Sequence, residues 1–178
     1  MTTILAVQYE DEVVIAADCR TIDSSGRTWK TTSKITRNGA FLIGGAGDCL
    51  PLDIANYIWK APKPTLKDFD NLNHFMVVSV VPSLRKAIED GGYVKKENDP
   101  EAGFAFILVI NGEIFTIDDE YSVDIPNFNV AAVGTGGSFA LGAARGGASI
   151  EKSMEIAEEN DVYTGGPFTY LTQTKGHK

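Results

Sequence analysis

With 178 residues, 43% of them hydrophobic and 22% charged, the chain has the size and balance of one globular domain able to bury a sizeable core. A net charge of −8 sets it against nucleic acid and anionic membrane surfaces as partners. No apolar run approaches the roughly 18 residues of a membrane span, and no basic segment followed by an apolar run marks a signal peptide.

Residues 2–9 (TTILAVQY) are β-branched and apolar and predict a strand; after the charged turn Glu10-Asp11-Glu12, residues 13–17 (VVIAA) predict a second. The near-continuous apolar character of the second implies cover on both faces, as for an internal strand of a layered fold. It ends on Asp18, and a carboxylate directly after a buried run is costly unless paired. Residues 21–33 (TIDSSGRTWKTTS) are polar around a Ser-Ser-Gly turn and read as a loop. Lys34-Ile35-Thr36 opens a strand, Asn38-Gly39 signals a hairpin, and residues 40–43 return. The run Gly44-Gly45-Ala46-Gly47-Asp48 fits either a close approach of backbone amides to a ligand or a tight strand-to-helix connection.

Asp48 is placed to cap a helix over 49–60, with Pro51 tolerated in its first turn. A second helix over 70–90 carries Phe75, Val78, Val81, Leu84 and Ile88 at helical spacing, as core positions, while Pro82 argues against one straight rod. Gly91-Gly92 ends it, and residues 95–101 form a charged surface loop. Residues 104–110 and 113–117, joined by Asn111-Gly112, make the clearest hairpin in the chain. An irregular acidic stretch leads to a short strand over 130–133, which runs into Gly134-Thr135-Gly136-Gly137-Ser138. A small-residue helix over 138–146 follows, then a helix over 150–160 with Ser149 as N-cap and Glu151 at the positive end of its dipole. The turn 161–166 (DVYTGG) precedes an edge strand over 167–172. Hairpins grouped apart from helix pairs predict antiparallel sheets covered by helical layers, an α+β sandwich in one domain, with a mobile tail at 173–178.

The two cysteines, Cys19 and Cys49, fit no zinc spacing and read as reduced thiols of a cytosol-like compartment. The two histidines lie in a helical pattern (His74) and in the terminal tail (His177). A histidine triad or histidine metal site is therefore not expected, and no metal or other cofactor is called for.

A nucleophile is nevertheless in reach at the N-terminus. Thr2 is small enough for routine removal of Met1, which would leave a hydroxyl and a free α-amine on one residue. The hydroxyl can attack a carbonyl, and the amine, with an ordinary pKa of roughly 7.7–8, can take its proton. This threonine–amine pair is a known variant of the serine–histidine–aspartate scheme. With Met1 in place Thr2 carries an amide and the scheme cannot run.

TTILAV after Met1, VVIAAD at 13–18, Lys34 after the polar loop, GGAGD at 44–48, GTGGSFALGAAR at 134–145 and DVYTGG at 161–166 together resemble the proteasome β-subunit family and its bacterial cousin, the two-component peptidase that works with an ATP-driven unfoldase. The pieces occur in the family's order across nearly the whole chain. The resemblance implies the N-terminal nucleophile hydrolase fold, a four-layer α-β-β-α sandwich of two antiparallel sheets. It implies a threonine endopeptidase acting on unfolded polypeptide inside homo-oligomeric rings of about six or seven subunits stacked in pairs, fed by an ATP-dependent unfoldase. A non-catalytic ring subunit and an amidase of small amides are the alternatives, since one fold hosts several chemistries. The spacing of DVYTGG has the proteasomal form, whereas the short length and lack of a propeptide look more like the bacterial peptidase.

By the same resemblance Thr2 is the nucleophile, Asp18 the buried carboxylate and Lys34 the lysine beside the nucleophile. A lysine there favours loss of the hydroxyl proton, and Asp18 keeps that lysine from being buried unpaired. Gly44 matches the glycine whose amide faces the oxyanion. Thr135, Asp161 and Thr164 match the residues that hydrogen-bond around the N-terminal amine. Thr21, Thr32, Leu42 and Ala46 align with the pocket for the residue before the scissile bond, where Leu42 would favour apolar side chains unless it is sheet core.

Overall fold

Strand alternation partitions the apolar residues into three separate layers. A computed structural model describes residues 2–22, 25–30, 33–94 and 103–176; Thr32, the charged loop expected over 95–101 and His177 lie outside the described residues. In β1 (Thr3–Gln8) Ile4 and Ala6 point one way and Leu5 the other, and in β2 (Glu12–Ala17) Val13, Ile15 and Ala17 oppose Ala16. The polar stretch expected as a loop instead forms a small hairpin, β3 (Arg20–Ile22) and β4 (Thr28–Lys30). Gly26, at φ +79°, supplies the left-handed turn that its Ser-Ser-Gly sequence allows.

β5 (Ile35–Asn38) and β6 (Phe41–Gly47) make the predicted Asn38-Gly39 hairpin, and β6 sends Leu42 one way while Phe41 and Ile43 go the other. The helix expected over 49–60 is found as α1 (Cys49–Asp53) continuing as a π-helical segment, Ile54–Ile58. The expected helix over 70–90 is likewise divided: a 3₁₀ turn (Leu66–Asp70), α2 (Leu72–Phe75), a π segment (Met76–Val80) and α3 (Val81–Asp90). Pro82 lacks an N–H and sits in the first turn of α3, so the break before it has a covalent cause. The wider π turn shifts the helical phase. Val78, expected in the core, is exposed, and Met76 and Val80 are buried with Phe75, Leu84 and Ile88.

β7 (Phe104–Ile110) and β8 (Glu113–Asp118) form the expected hairpin, followed by a two-residue β9 (Val123–Asp124) and a 3₁₀ turn (Asn127–Asn129) in the stretch expected to be irregular. β10 (Val130–Gly134), α4 (Gly137–Arg145), α5 (Ile150–Asn160) and the edge strand β11 (Thr169–Thr174) complete the chain. Ser149 caps α5 as expected, its hydroxyl accepting from the Lys152 N–H at 3.2 Å. The terminal segment expected to be mobile is tied down through Gly176: Lys175 donates from its backbone N–H to Asp11 O and from Nζ to Glu10 O, and Gly176 donates to Asn111 Oδ1.

One antiparallel sheet has the order β10-β1-β2-β11 and the other β5-β6-β7-β8-β9. Between them lie Ile4, Ala6, Ile15, Leu42, Ile107 and Val109, with others. Phe41, Ile43, Phe106, Leu108 and Phe115 pack outward against α1 to α3 and the π segments, and Leu5, Ala16 and Val130 pack against α4 and α5. The result is the expected α-β-β-α order, with β2 internal and covered on both faces. Each large side chain sealed into these layers stabilises the fold by about 1.5–3 kcal/mol relative to exposure.

Candidate active site

Asp18 leaves the end of β2 fully buried, and the cost of its carboxylate is met by three donors, with a backbone bond beside them. Oδ1 accepts from Lys34 Nζ at 2.8 Å and from the Thr3 N–H at 2.9 Å; Oδ2 accepts from the Arg20 N–H at 3.1 Å; and the Asp18 N–H donates to Thr3 O at 3.1 Å. Lys34, 8% exposed, also donates to Arg20 O at 2.6 Å. Two of its three N–H groups are thus fixed by β2 and β3, so its ammonium is held in place. Thr2, nearly buried at 5% exposure, lines the same cleft as Lys34.

A second network lies against the other side of residues 2 and 3. Thr135 Oγ1 and Thr164 Oγ1 both donate to Asp161 Oδ2, at 2.8 and 2.6 Å, and Thr3 Oγ1 is 2.6 Å from Thr164 Oγ1. A hydroxyl has one proton, and that of Thr164 goes to the carboxylate, so Thr3 is the donor in the last contact. Residues 135, 161 and 164 are therefore brought together, and they meet the N-terminal strand through the Thr3 hydroxyl. The repeated threonine at positions 2 and 3 was the available sequence signal for it.

Two glycines of the 134–136 turn have a steric reason. Gly134 adopts φ +95°, and a Cβ there would fall on the Thr2 carbonyl; a Cβ on Gly136 would strike Thr3 Oγ1 and Thr164 Oγ1. Arg20 clamps the 161–166 turn onto this assembly, donating to Val162 O at 3.2 Å and pairing with Glu158 at 3.5 Å, while Cys19 N–H donates to Gly165 O at 3.1 Å.

The glycine-rich run requires corrections. The Asp48 N–H donates to Gly103 O at 2.8 Å, which sets the direction of the β6 ladder. In an antiparallel ladder successive amides alternate in direction, so the Gly44 N–H faces β7 and is spent in the ladder. Gly44 is instead a packing residue: a Cβ there would come within 2.8 Å of both Ile35 and Ile4 between the sheets. The Gly47 N–H faces the opposite side, beyond the last β5 pairing at Ile35–Gly44, and Gly47 lines the cleft with Thr2 and Lys34. Asp48 is not a side-chain cap; its Oδ2 accepts from Tyr93 Oη at 2.8 Å and from the Gly103 N–H at 3.2 Å. Burial and that bond push the Tyr93 phenol up to about 12.

Of the expected pocket residues, Thr21 lines the cleft. Leu42 does not: it is fully buried between the sheets, because its position in β6 has the inward parity. Ala46 shares that parity and is buried beside Gly134, behind the cleft rather than in its wall. Ser33, Gly47, Cys49, Leu52, Asp53 and Asn56 also line this cleft of about 100 Å³ among the described residues. Their sequence signal was weak, since it required knowing which face of the 49–60 helix looks at Thr2. His74 is exposed and is not among the lining residues. Among the described residues no group of His, Cys, Asp and Glu could hold a metal ion, and no helix is long and apolar enough to cross a membrane.

No family model matches the chain. It is 31% identical to the ATP-dependent protease subunit HslV of Caldicellulosiruptor saccharolyticus, over 96% of this chain and 97% of that protein. It is also 31% identical to the subunit of the same name from Rickettsia prowazekii, over 88% of this chain and 81% of that one. Among solved structures, eukaryotic HslV from Trypanosoma brucei superposes with a TM-score of 0.65 at 22% identity, covering 96% of this chain and 98% of that one. Thiobacillus denitrificans BPH in complex with epoxomicin superposes at 0.76 with 19% identity, covering 98% and 100%. These two structural likenesses bear on the fold, which is that of the N-terminal nucleophile hydrolases.

Proposed function

The chain belongs to the HslV family of ATP-dependent protease subunits, and from that premise we propose that it is a threonine peptidase whose nucleophile is the Thr2 hydroxyl. The observation that carries this reading is the placement of Thr2 in one cleft with Lys34, whose ammonium is fixed by the buried Asp18.

Once Met1 is removed, the Thr2 α-amine takes the Oγ1 proton as Oγ1 attacks a peptide carbonyl. The Lys34 ammonium favours the developing alkoxide, and the Gly47 N–H faces the oxyanion of the tetrahedral intermediate. Collapse of the intermediate breaks the C–N bond, and the ammonium of Thr2 returns the proton to the leaving amine. Water, deprotonated by the same amine, then hydrolyses the ester and regenerates the hydroxyl. Asp18 acts through Lys34, while Thr135, Asp161 and Thr164 act through Thr3 to fix the direction in which residue 2 presents its amine.

The relatives' name, subunit of an ATP-dependent protease, supports a polypeptide substrate and an ATP-consuming partner; an unfoldase in that role, unfolded chains as substrate and a cytoplasmic ring of copies follow from the family resemblance. Retention of Thr2, Asp18 and Lys34 in one cluster speaks against a non-catalytic ring subunit. A cleft of about 100 Å³ admits one side chain, well short of the roughly 300 Å³ at which whole small ligands are enclosed, and speaks against a small-amide amidase. The test is hydrolysis of an unfolded protein by the processed assembly. Thr2→Ala should abolish it and Thr2→Ser should retain it; equal rates for wild type and Thr2→Ala would overturn the proposal.

A further inference from the structure

Cys49, Leu52, Asp53 and Asn56 stand at helical spacings of three and four, so one face of α1 and its π continuation forms a wall of the cleft that holds Thr2, Thr21, Ser33, Lys34 and Gly47. Among the described residues of this lining, Lys34 and Asp53 are the basic and acidic side chains. The charge of Lys34 is neutralised by Asp18 at 2.8 Å and wrapped by Arg20 O at 2.6 Å, with the carboxylate behind it fully buried. Asp53 is exposed, so its carboxylate is the charge that an entering side chain meets.

The rest of the wall interleaves polar groups with apolar surface. Thr21, Ser33, Cys49 and Asn56 present hydroxyl, thiol and amide groups, and Leu52 is partly spent in packing on the helix-side core. An apolar side chain would strip water from these groups without replacing its hydrogen bonds. A cationic one keeps polar contacts and gains Coulomb attraction to Asp53. The chain's net charge of −8 adds a general field that draws basic segments inward.

We infer that the substrate residue whose carbonyl is attacked is lysine or arginine, and that Asp53 selects it; this rests on Thr2 being the nucleophile, as proposed above. The cleft joins the attacking residue and the Gly47 N–H to the Asp53 wall, so the side chain next to the attacked carbonyl is the one that enters. The apolar preference expected from Leu42 is replaced, because Leu42 is sealed between the sheets.

The test compares fluorogenic tripeptides that differ only in the residue before the reporter, arginine, leucine or glutamate, on the processed assembly. The arginine peptide should have the highest kcat/KM. Asp53→Asn should lower the arginine-to-leucine ratio by roughly fivefold, the scale of a solvent-accessible ion pair, and Asp53→Lys should place glutamate above arginine. A wild-type preference for leucine or glutamate, or a ratio unmoved by Asp53→Asn, overturns the inference. Binding of amide-capped fluorescent peptides to Thr2→Ala protein separates the two readings. Tighter binding of an arginine-ended than a leucine-ended peptide, lost on adding Asp53→Asn, sustains the cleft's selectivity even if no peptide is cleaved, an outcome that would sink the nucleophile alone. Equal binding of both peptides overturns the selectivity whatever the state of Thr2.

Discussion

Thr3 and Thr164 meet hydroxyl to hydroxyl at 2.6 Å, although they stand 161 positions apart in the chain. Thr164 has already given its proton to Asp161 at 2.6 Å, so the contact has a direction, from the N-terminal strand into the carboxylate network. That single bond joins residue 3, and with it the orientation of residue 2, to the turn that follows α5.

Thr3→Val removes the donor while keeping the strand preference of the position. It leaves a fully buried acceptor on Thr164, which costs about 1–3 kcal/mol. The urea midpoint should fall accordingly, kcat should drop with it, and Thr3→Ser should restore both. An unchanged midpoint in the valine variant would contradict the assigned direction of the bond.

Lys34→Met should be more damaging, because Asp18 is 0% exposed and would be left as a buried charge with backbone donors alone. Breaking one side of a buried pair costs about 3–5 kcal/mol, and the ammonium that favours the Thr2 alkoxide is lost as well. Equilibrium unfolding and peptide hydrolysis should both register the change. A variant that loses activity with undiminished stability would show that Asp18 does not depend on Lys34.

Gly134→Ala and Gly44→Ala separate catalysis from packing. The first places a methyl on the Thr2 carbonyl at a backbone φ of +95°, so it should displace the nucleophile and remove hydrolysis. The second overfills the layer between Ile4 and Ile35 and should cost about 1–3 kcal/mol of stability, with hydrolysis per folded molecule retained. Loss of hydrolysis in folded Gly44→Ala protein would return the oxyanion role to Gly44.

Alkaline pH should weaken the fold through Tyr93. Its folded pKa, raised to about 12 by burial and by the bond to Asp48, lies above the ordinary tyrosine value. The neutral phenol is the form the fold prefers, so this contribution is complete below about pH 10 and is lost as pH rises from there through about 12. Urea midpoints at pH 9 and 11 should diverge in wild type and differ less in Tyr93→Phe. An equal loss in both would assign the alkaline weakening to other groups.

Much of the sandwich was readable because period-two alternation and hairpin signals are local. The strands at 3–8, 12–17 and 104–118 stand where their apolar residues predict, and Asp18 announced a partner by following a buried run. The π segments were not readable, since an extra residue in a turn leaves no compositional mark, and with them went the burial of Val78. Gly44 and Gly47 have the same chemistry in sequence; which amide faces the cleft depends on the parity of the β6 ladder, a tertiary fact. Lys34 could be placed beside Asp18 only through the family resemblance, and Asp53 only through the direction in which α1 faces.

The most direct measurement is intact mass of the purified protein before and after incubation with epoxomicin, whose epoxyketone needs a hydroxyl and a free α-amine on one residue. The result expected is protein lacking Met1 that gains one adduct, absent in Thr2→Ala. Hydrolytically active protein that still carries Met1, or that is processed yet gains no adduct, would contradict an N-terminal threonine nucleophile.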